Sequence, residues 1–335
     1  MSTTRIEIGA VGIPPSEEDL RPAPLPQTIV MNFAKVCNLW CLHCFYPDMA
    51  TKRERTKSRE IVFLPPETFR RVADELAAWT NGVVLRIASD GEPLLHPEAF
   101  EMIAYAKSRG VATSLTTNGI PLSPENIAKL LDAGIDVIDI SIDAATAESY
   151  AAVRPSRSGK NFYEQVEANV QNLIACRNRR EGSPTKVMVN LIHQPRVRSE
   201  VDLFIGKWSA KGADAVLIRP FHTTSTLTVR EGTATHAEGI RRFPCKYPFT
   251  RLNVGFDPEG HPVVYYCSHD WEEKTVVGVL GVDGNLKTIW QGPRMEEIRR
   301  RHRENRYPPD SFCAPCPDWY LGWGKGHHQL VKSLT

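Results

Sequence analysis

Between residues 28 and 220 the sequence alternates short apolar runs with longer stretches of helical periodicity. The runs are TIVMNF (28–33), VVLRIA (83–88), VATSLT (111–116), VIDISI (137–142), KVMVNLI (186–192) and AVLIRP (215–220). They are rich in branched side chains and short, as strands covered on both faces must be. Helix-like stretches separate them: Pro66–Trp79, Pro97–Arg109, Pro124–Ala133, Phe162–Arg179 and Val201–Lys211. Pro66, Pro97 and Pro124 suit a first helical turn, where no backbone N–H is needed. Gly110 and Gly134 suit the ends. In Phe162–Arg179, Val166, Val170, Leu173 and Ile174 share one face. Six strands with five intervening helices make a parallel α/β sheet, since parallel neighbours need a crossover long enough for a helix. Two closures satisfy the pattern: a doubly wound open sheet, or a partial barrel of six β/α units.

The flanks differ in texture. Residues 1–27 are rich in proline and polar side chains and read as an extended lead-in. Beyond Pro220, short segments broken by Gly, Pro and Asp carry four cysteines, so residues 221–335 are expected to form a small, metal-stapled second domain. The basic run RRRHRENR (299–306) follows Met295 and Ile298 at helical spacing and reads as a solvated helix face. With a net charge of +2 across 335 residues, nothing calls for nucleic acid as a partner. No run approaches the roughly 18 apolar residues of a membrane span. The first residues lack a signal-peptide pattern, and we expect a cytoplasmic protein.

Eight cysteines in such a chain argue for metal or redox chemistry, because the cytosol keeps structural disulfides reduced. Cys37, Cys41 and Cys44 stand in CNLWCLHC, directly after the first strand. Cys245, Cys267, Cys313 and Cys316 follow at intervals of 22, 46 and 3 residues, and Cys176 stands apart. A cubane iron–sulfur cluster takes one thiolate per iron, so three ligands in one loop leave one iron open. Catalytic metal sites keep such an open position, whereas structural ones close it. For the second set zinc competes, because the closing CAPC spacing occurs in zinc ribbons too.

CNLWCLHC fits the CxxxCxxC motif of the radical S-adenosylmethionine superfamily, and further pieces of the chain resemble that family in order. SDGEPLLHP (89–97) is similar to the GGEP motif at Gly91 and Glu92, with Asp90 in place of the usual first glycine. TTNG holds Asn118 after the third strand. SIDA resembles the pair Ser141 and Asp143 that reaches the ribose. Arg154 in YAAVRPS matches an arginine that binds the cosubstrate carboxylate, Asn190 matches a polar contact, and His43 occupies the place of an aromatic beside adenine. The resemblance covers residues 28–220. It implies the partial (β/α)6 TIM-like barrel, with a 4Fe–4S cluster on Cys37, Cys41 and Cys44 whose open iron binds S-adenosylmethionine. It also implies a 5′-deoxyadenosyl radical as the oxidant, and an electron donor such as flavodoxin or ferredoxin.

Beside that motif, the later cysteines resemble a Twitch domain, the shortened form of the SPASM domain, with spacings like those of 2-deoxy-scyllo-inosamine dehydrogenase-like enzymes. This implies one auxiliary 4Fe–4S cluster on Cys245, Cys267, Cys313 and Cys316, fully ligated and suited to moving electrons. The expected reaction is oxidation of a hydroxyl-bearing carbon in a small-molecule substrate such as a sugar, aminocyclitol or nucleoside. A radical epimerase is the first alternative. The only spare thiol, Cys176, lies toward the barrel end opposite the active face, which disfavours a thiol-dependent epimerase and leaves a tyrosine or a cluster cysteine as the donor it would need. A peptide-modifying enzyme is the second alternative, disfavoured because 27 residues before the first strand are few for a leader-peptide-binding region. The candidate proton acceptors near strand ends are Asp90, His193, Arg219 and His222.

Overall fold

The computed structural model describes residues 4–7, 14–47, 50–51, 54, 62–80, 82–88, 90–220, 241–270, 273–316, 318–319 and 323. The six expected strands form as β2 (Thr28–Asn32), β3 (Val84–Ala88), β4 (Ala112–Thr117), β5 (Val137–Ser141), β6 (Lys186–His193) and β7 (Ala215–Pro220), after a short β1 (Thr4–Glu7). Neighbours from β2 to β7 pair in parallel and in chain order. A doubly wound sheet would reverse its strand order part-way; this one does not, and the partial barrel is the result. Its two free edges are capped rather than joined. β1 pairs with β7, where the sequence suggested only an extended lead-in, and β8 (Arg251–Phe256) pairs in parallel with β2. From β8 the sheet continues antiparallel through β9 (Pro262–Tyr265) and β10 (Val276–Val279).

The crossovers are α1 (Pro66–Ala77), α2 (Ala99–Ser108), α3 (Pro124–Ala133), α4 (Ala147–Val153), α5 (Tyr163–Asn178) and α6 (Val201–Ala210). Pro66 and Pro124 sit in the first turns as expected, and Gly134 ends α3 with a φ of 69°. Pro97 falls two residues before α2, behind a 3-10 turn at Pro93–Leu95. The sequence reading missed α4, which is short and capped by Thr146 Oγ1 accepting from Ser149 N at 3.2 Å.

Strand parity sorts the barrel into two faces. Ile29, Met31, Leu85, Ile87, Leu115, Ile138 and Ile140 point outward into the large core beneath the helices. The inward set starts apolar at the N-terminal strand ends, where Val84, Val137, Met188, Ala215 and Leu217 cluster with Ala112. Higher in the barrel it becomes polar, with Arg86, Asp139, Asn190 and Arg219. The plug of side chains below and the polar layer above direct ligands to the C-terminal strand ends.

The later segments pack beside β2 and against the chain that leads into it, with Gln27 N donating to Thr250 O at 2.9 Å and Trp290 Nε1 to Ala23 O at 2.8 Å. α7 (Tyr247–Thr250) leads into β8, and α8 (Leu286–Gln291) and α9 (Pro293–Glu304) follow β10. The basic run divides in two. Arg300, Arg301 and Arg303 pair with Glu296, Glu297 and Glu304 along the surface of α9. Arg299 and His302 turn inward, Arg299 lying 4.1 Å over the Trp290 ring. Among the described residues no helix is long and apolar enough to cross a membrane.

Candidate active site

The cysteine loop leaves β2 and is pinned from both sides. Gly91 N donates to Ala34 O at 2.9 Å and Glu92 N to Val36 O at 2.8 Å. On the far side Trp40 N donates to Pro155 O at 2.7 Å and Leu42 N to Val153 O at 3.1 Å. The segment after β3 approaches so closely that a Cβ on Gly91 would stand 1.9 Å from Val36 O. Only glycine fits there, which gives a physical reason for a glycine at this position.

Glu92 ties this segment to the end of β4. Its carboxylate accepts from Thr117 Oγ1 at 2.7 Å, from Asn118 N at 2.8 Å and from Leu94 N at 3.2 Å. Burial pushes the Glu92 carboxyl up, opposed by those three donors. Asn118 then reaches back to the cysteine loop, its Nδ2 donating to Asn38 Oδ1 at 2.6 Å and lying 3.9 Å from Cys37 Sγ.

Across the barrel mouth, Asp143 follows β5 with a φ of 60°, a left-handed turn that aspartate tolerates better than most residues. Its Oδ1 accepts from Ile192 N at 2.8 Å, and Arg154 Nε lies 2.9 Å from its Oδ2. Arg154 also donates to Ser141 O, and Asn190 Nδ2 donates to Ser141 Oγ at 3.1 Å. His43 Nε2 stands 3.5 Å from Asp143 Oδ2. Burial pulls the His43 imidazole down to about 4 despite Asp143, so the ring is neutral near pH 7, and its buried Nδ1 has no hydrogen-bond partner. Six of the residues expected to contact the cosubstrate thus meet at the same mouth: His43, Asn118, Ser141, Asp143, Arg154 and Asn190.

The donor chemistry of the cysteines suits an iron–sulfur cluster better than a single ion. Burial, then Cys41, pushes the Cys44 thiol up to about 12, and Cys37 and Cys41 are also raised by burial first. Such thiols become thiolates only against a cationic centre. A tetrahedral zinc would draw its sulfurs to roughly 3.8 Å from one another. Among the described residues the only three ligand atoms within 4.8 Å of each other belong to Asp257, Glu259 and His261, and no three cysteines meet that limit. The sulfurs also accept backbone N–H groups, Leu39 N to Cys37 at 3.5 Å and Tyr46 N to Cys44 at 3.4 Å.

The second set gathers in the same manner. Cys245 precedes α7, Cys267 follows β9, and Cys313 and Cys316 lie in the turns after α9. Burial, then Cys313, pushes Cys245 up to about 12 in spite of the Tyr247 N–H. Tyr266 Oη lies 3.3 Å from Cys313 Sγ, and His269 N donates to Cys267 Sγ at 3.4 Å.

A cavity of about 240 Å³ has neighbours of both sets in its lining, Asp90 near Cys44 and Tyr247 near Cys245 and Cys267. Its lining includes Asp90, Asn32 and Arg86 together with Tyr247, Tyr265 and His269. Of the expected proton acceptors, Asp90 and Arg219 face this space. Burial pushes the Asp90 carboxyl up to about 6, against Lys35 and the Asn32 amide that donates to it. Arg219 donates to Asp139, whose Oδ1 accepts from Asn190 Nδ2 at 2.7 Å. His193 is exposed at the end of β6, outside the cavity lining, and His222 lies outside the described residues. Arg86, Arg251, Tyr247 and His269 line the cavity without having been singled out in the sequence. Arg86 carried a signal, a charge inside the apolar run VVLRIA.

Comparison with known proteins decides the family. Residues 31–193 match the Radical SAM superfamily, and residues 245–317 match SPASM, an iron-sulfur cluster-binding domain. AdoMet-dependent heme synthase of Methanosarcina barkeri is 34% identical over 37% of this chain, which spans only 33% of that enzyme's length. Mycofactocin maturase MftC of Mycolicibacterium smegmatis is 31% identical over 88% of this chain and 76% of its own length. The chain belongs to the radical SAM superfamily. As a radical SAM enzyme with a SPASM domain, it binds a 4Fe–4S cluster with S-adenosylmethionine and carries auxiliary iron–sulfur ligation near its C-terminus. Solved structures agree in fold. BtrN in complex with AdoMet and 2-DOIA superposes with a TM-score of 0.54 at 14% identity, covering 84% of this chain and 88% of BtrN. Streptococcus suis SuiB bound to precursor peptide SuiA gives 0.64 at 13% identity, covering 94% of this chain and 75% of SuiB.

Proposed function

We propose that this radical SAM enzyme oxidises a hydroxyl-bearing carbon of a small polar substrate held in the cavity lined by neighbours of both cysteine sets. The observation that supports this is the cavity's position. Its lining includes Asp90, beside Gly91 and Glu92, and also Tyr247 and His269, each two residues from a cysteine of the second set. A substrate there would lie near both the radical source and an electron acceptor. At about 240 Å³ the space lies just below the range of drug-sized ligand sites and suits a compact molecule such as a sugar or aminocyclitol.

Cys37, Cys41 and Cys44 would hold the first cluster. Cys245, Cys267, Cys313 and Cys316 would hold one auxiliary cluster. Gly91 and Glu92 with His43, Asn118, Ser141, Asp143, Arg154 and Asn190 would form the S-adenosylmethionine site. Bound there, these groups supply hydrogen-atom abstraction from carbon and an acceptor for the electron left behind. The chain supplies the rest. Asp90, near neutrality, takes the hydroxyl proton, and Arg219, fixed by Asp139, orients the substrate. Arg154 has Asp143 as its partner, so it would bind the cosubstrate carboxylate by sharing that ion pair.

A second reading, peptide modification, draws support from the likeness in fold to SuiB, which was solved with its precursor peptide. Cys316→Ala tests the oxidation proposal. In reconstituted protein it should still release 5′-deoxyadenosine but give little oxidised product. Undiminished oxidised product in that variant, with only one cluster's iron present, would remove the second cysteine set from the reaction.

A further inference from the structure

Three arginines from three different strands line the cavity: Arg86 on β3, Arg219 on β7 and Arg251 on β8. The Nε of each is buried and has no hydrogen-bond partner. Arg86 spends Nη2 on Thr116 Oγ1 at 3.2 Å, Arg219 spends Nη2 on Asp139, and Arg251 stacks 4.2 Å over the Tyr247 ring. The carboxylates at hand are Asp139, already shared with Asn190, and Asp90, which is held by Asn32. Three guanidiniums thus meet two committed acids, with Cys245 of the second set as a further negative neighbour of Arg251 once it is a thiolate. Burial first, and then Arg219, pulls Arg86 down to about 9, with Arg251 also acting against its charge. Burying unpaired cationic donors is costly, and a fixed guanidinium fork matches a planar or tetrahedral oxyanion better than it matches a neutral hydroxyl.

We propose that the cavity recognises an anionic group on the substrate, a carboxylate or a phosphate, through Arg86, Arg219 and Arg251. This rests on the placing of substrate in that cavity and narrows its class from polar to anionic. The anion would accept from Nη1 of Arg86, Arg219 and Arg251, which make no hydrogen bond among the described residues and, unlike the Nε atoms, are not closed off from the cavity. It would also fix which carbon of the substrate is presented toward Asp90.

The test is calorimetric titration of the reconstituted protein, without reductant and at constant ionic strength, with inorganic phosphate, acetate and neutral myo-inositol. One saturable site for phosphate or acetate, and none for myo-inositol, is expected. Tighter phosphate would assign a phosphate group, and tighter acetate a carboxylate. Arg86→Gln and Arg251→Gln should each weaken that binding at least about tenfold, while Arg300→Gln, on the exposed face of α9, should not change it. Arg251→Gln keeps the test open should Arg86→Gln fold poorly, and iron content equal to wild type confirms that each variant is intact. Absence of a saturable site for either anion, or equal binding in both cavity variants, would overturn the proposal. Loss of anion sites alongside normal substrate oxidation sinks this proposal alone. Anion sites without any oxidised product sink the oxidation proposal alone.

Discussion

Gly91→Ala tests whether contact between the β3 segment and the cysteine loop builds the first cluster site. The new Cβ would begin 1.9 Å from Val36 O, a backbone atom with no side-chain freedom. Reaching ordinary contact requires the two segments to part by more than 1 Å, which breaks the bonds from Gly91 N to Ala34 O at 2.9 Å and from Glu92 N to Val36 O at 2.8 Å. Two backbone hydrogen bonds contribute about 1–3 kcal/mol net, and residual strain adds to that. A loss of about 2–4 kcal/mol should lower the melting temperature by several degrees. Displacement of Cys37 should cut iron from about eight to about four per chain, the share of one four-iron cluster. Gly206→Ala is the control. A Cβ there meets nothing within 4 Å on α6, so alanine should be neutral or stabilise by up to about 1 kcal/mol. The assay is iron content with thermal unfolding of all three proteins in parallel. Wild-type iron and melting in Gly91→Ala would refute the steric argument.

Oxidation should depend on Asp90 being ionised. With its carboxyl pushed up to about 6, the accepting form exists above that pH and is lost below it, so product formation should fall as pH drops through about 6. Asp90→Asn should slow product formation at least about 100-fold while 5′-deoxyadenosine is still released; a flat profile across this range would dismiss Asp90 as the acceptor. Cys41→Ala should abolish S-adenosylmethionine cleavage, because a cubane lacking one of three thiolates does not assemble, and wild-type cleavage rates would contradict the ligand assignment. Cys176→Ala should turn over normally. Its thiol sits in the last turn of α5, half-buried and 3.1 Å from Arg179 Nη2, on the side where β6 begins; a strong loss of turnover would restore a thiol hydrogen donor.

The parallel strands were legible because each is buried on both faces, which leaves a dense apolar run in the sequence. β2, for example, is buried throughout. Their order was not legible from periodicity, since an open sheet and a partial barrel share the same local pattern; the motif resemblance made that choice. α4 escaped because seven residues make too few turns for a clear apolar face, although Thr146 and Ser149 carried a capping signal. The cavity was only partly readable. Arg86 and Asp139 announce themselves as charges inside apolar strands. Arg251, Tyr247 and His269 gain their place only when β8 joins the edge of β2, a pairing between residues more than 200 positions apart. β1 was hidden for the same reason, since its partner is the distant strand β7.

The most direct measurement is the mass and deuterium content of the product after turnover in heavy water with a substrate that supports S-adenosylmethionine cleavage. Oxidation with electron loss predicts a product two mass units lighter than the substrate, with no solvent deuterium fixed at the reacting carbon. A product of unchanged base mass carrying one deuterium at carbon would mean that a hydrogen atom was returned, and the enzyme would be an epimerase.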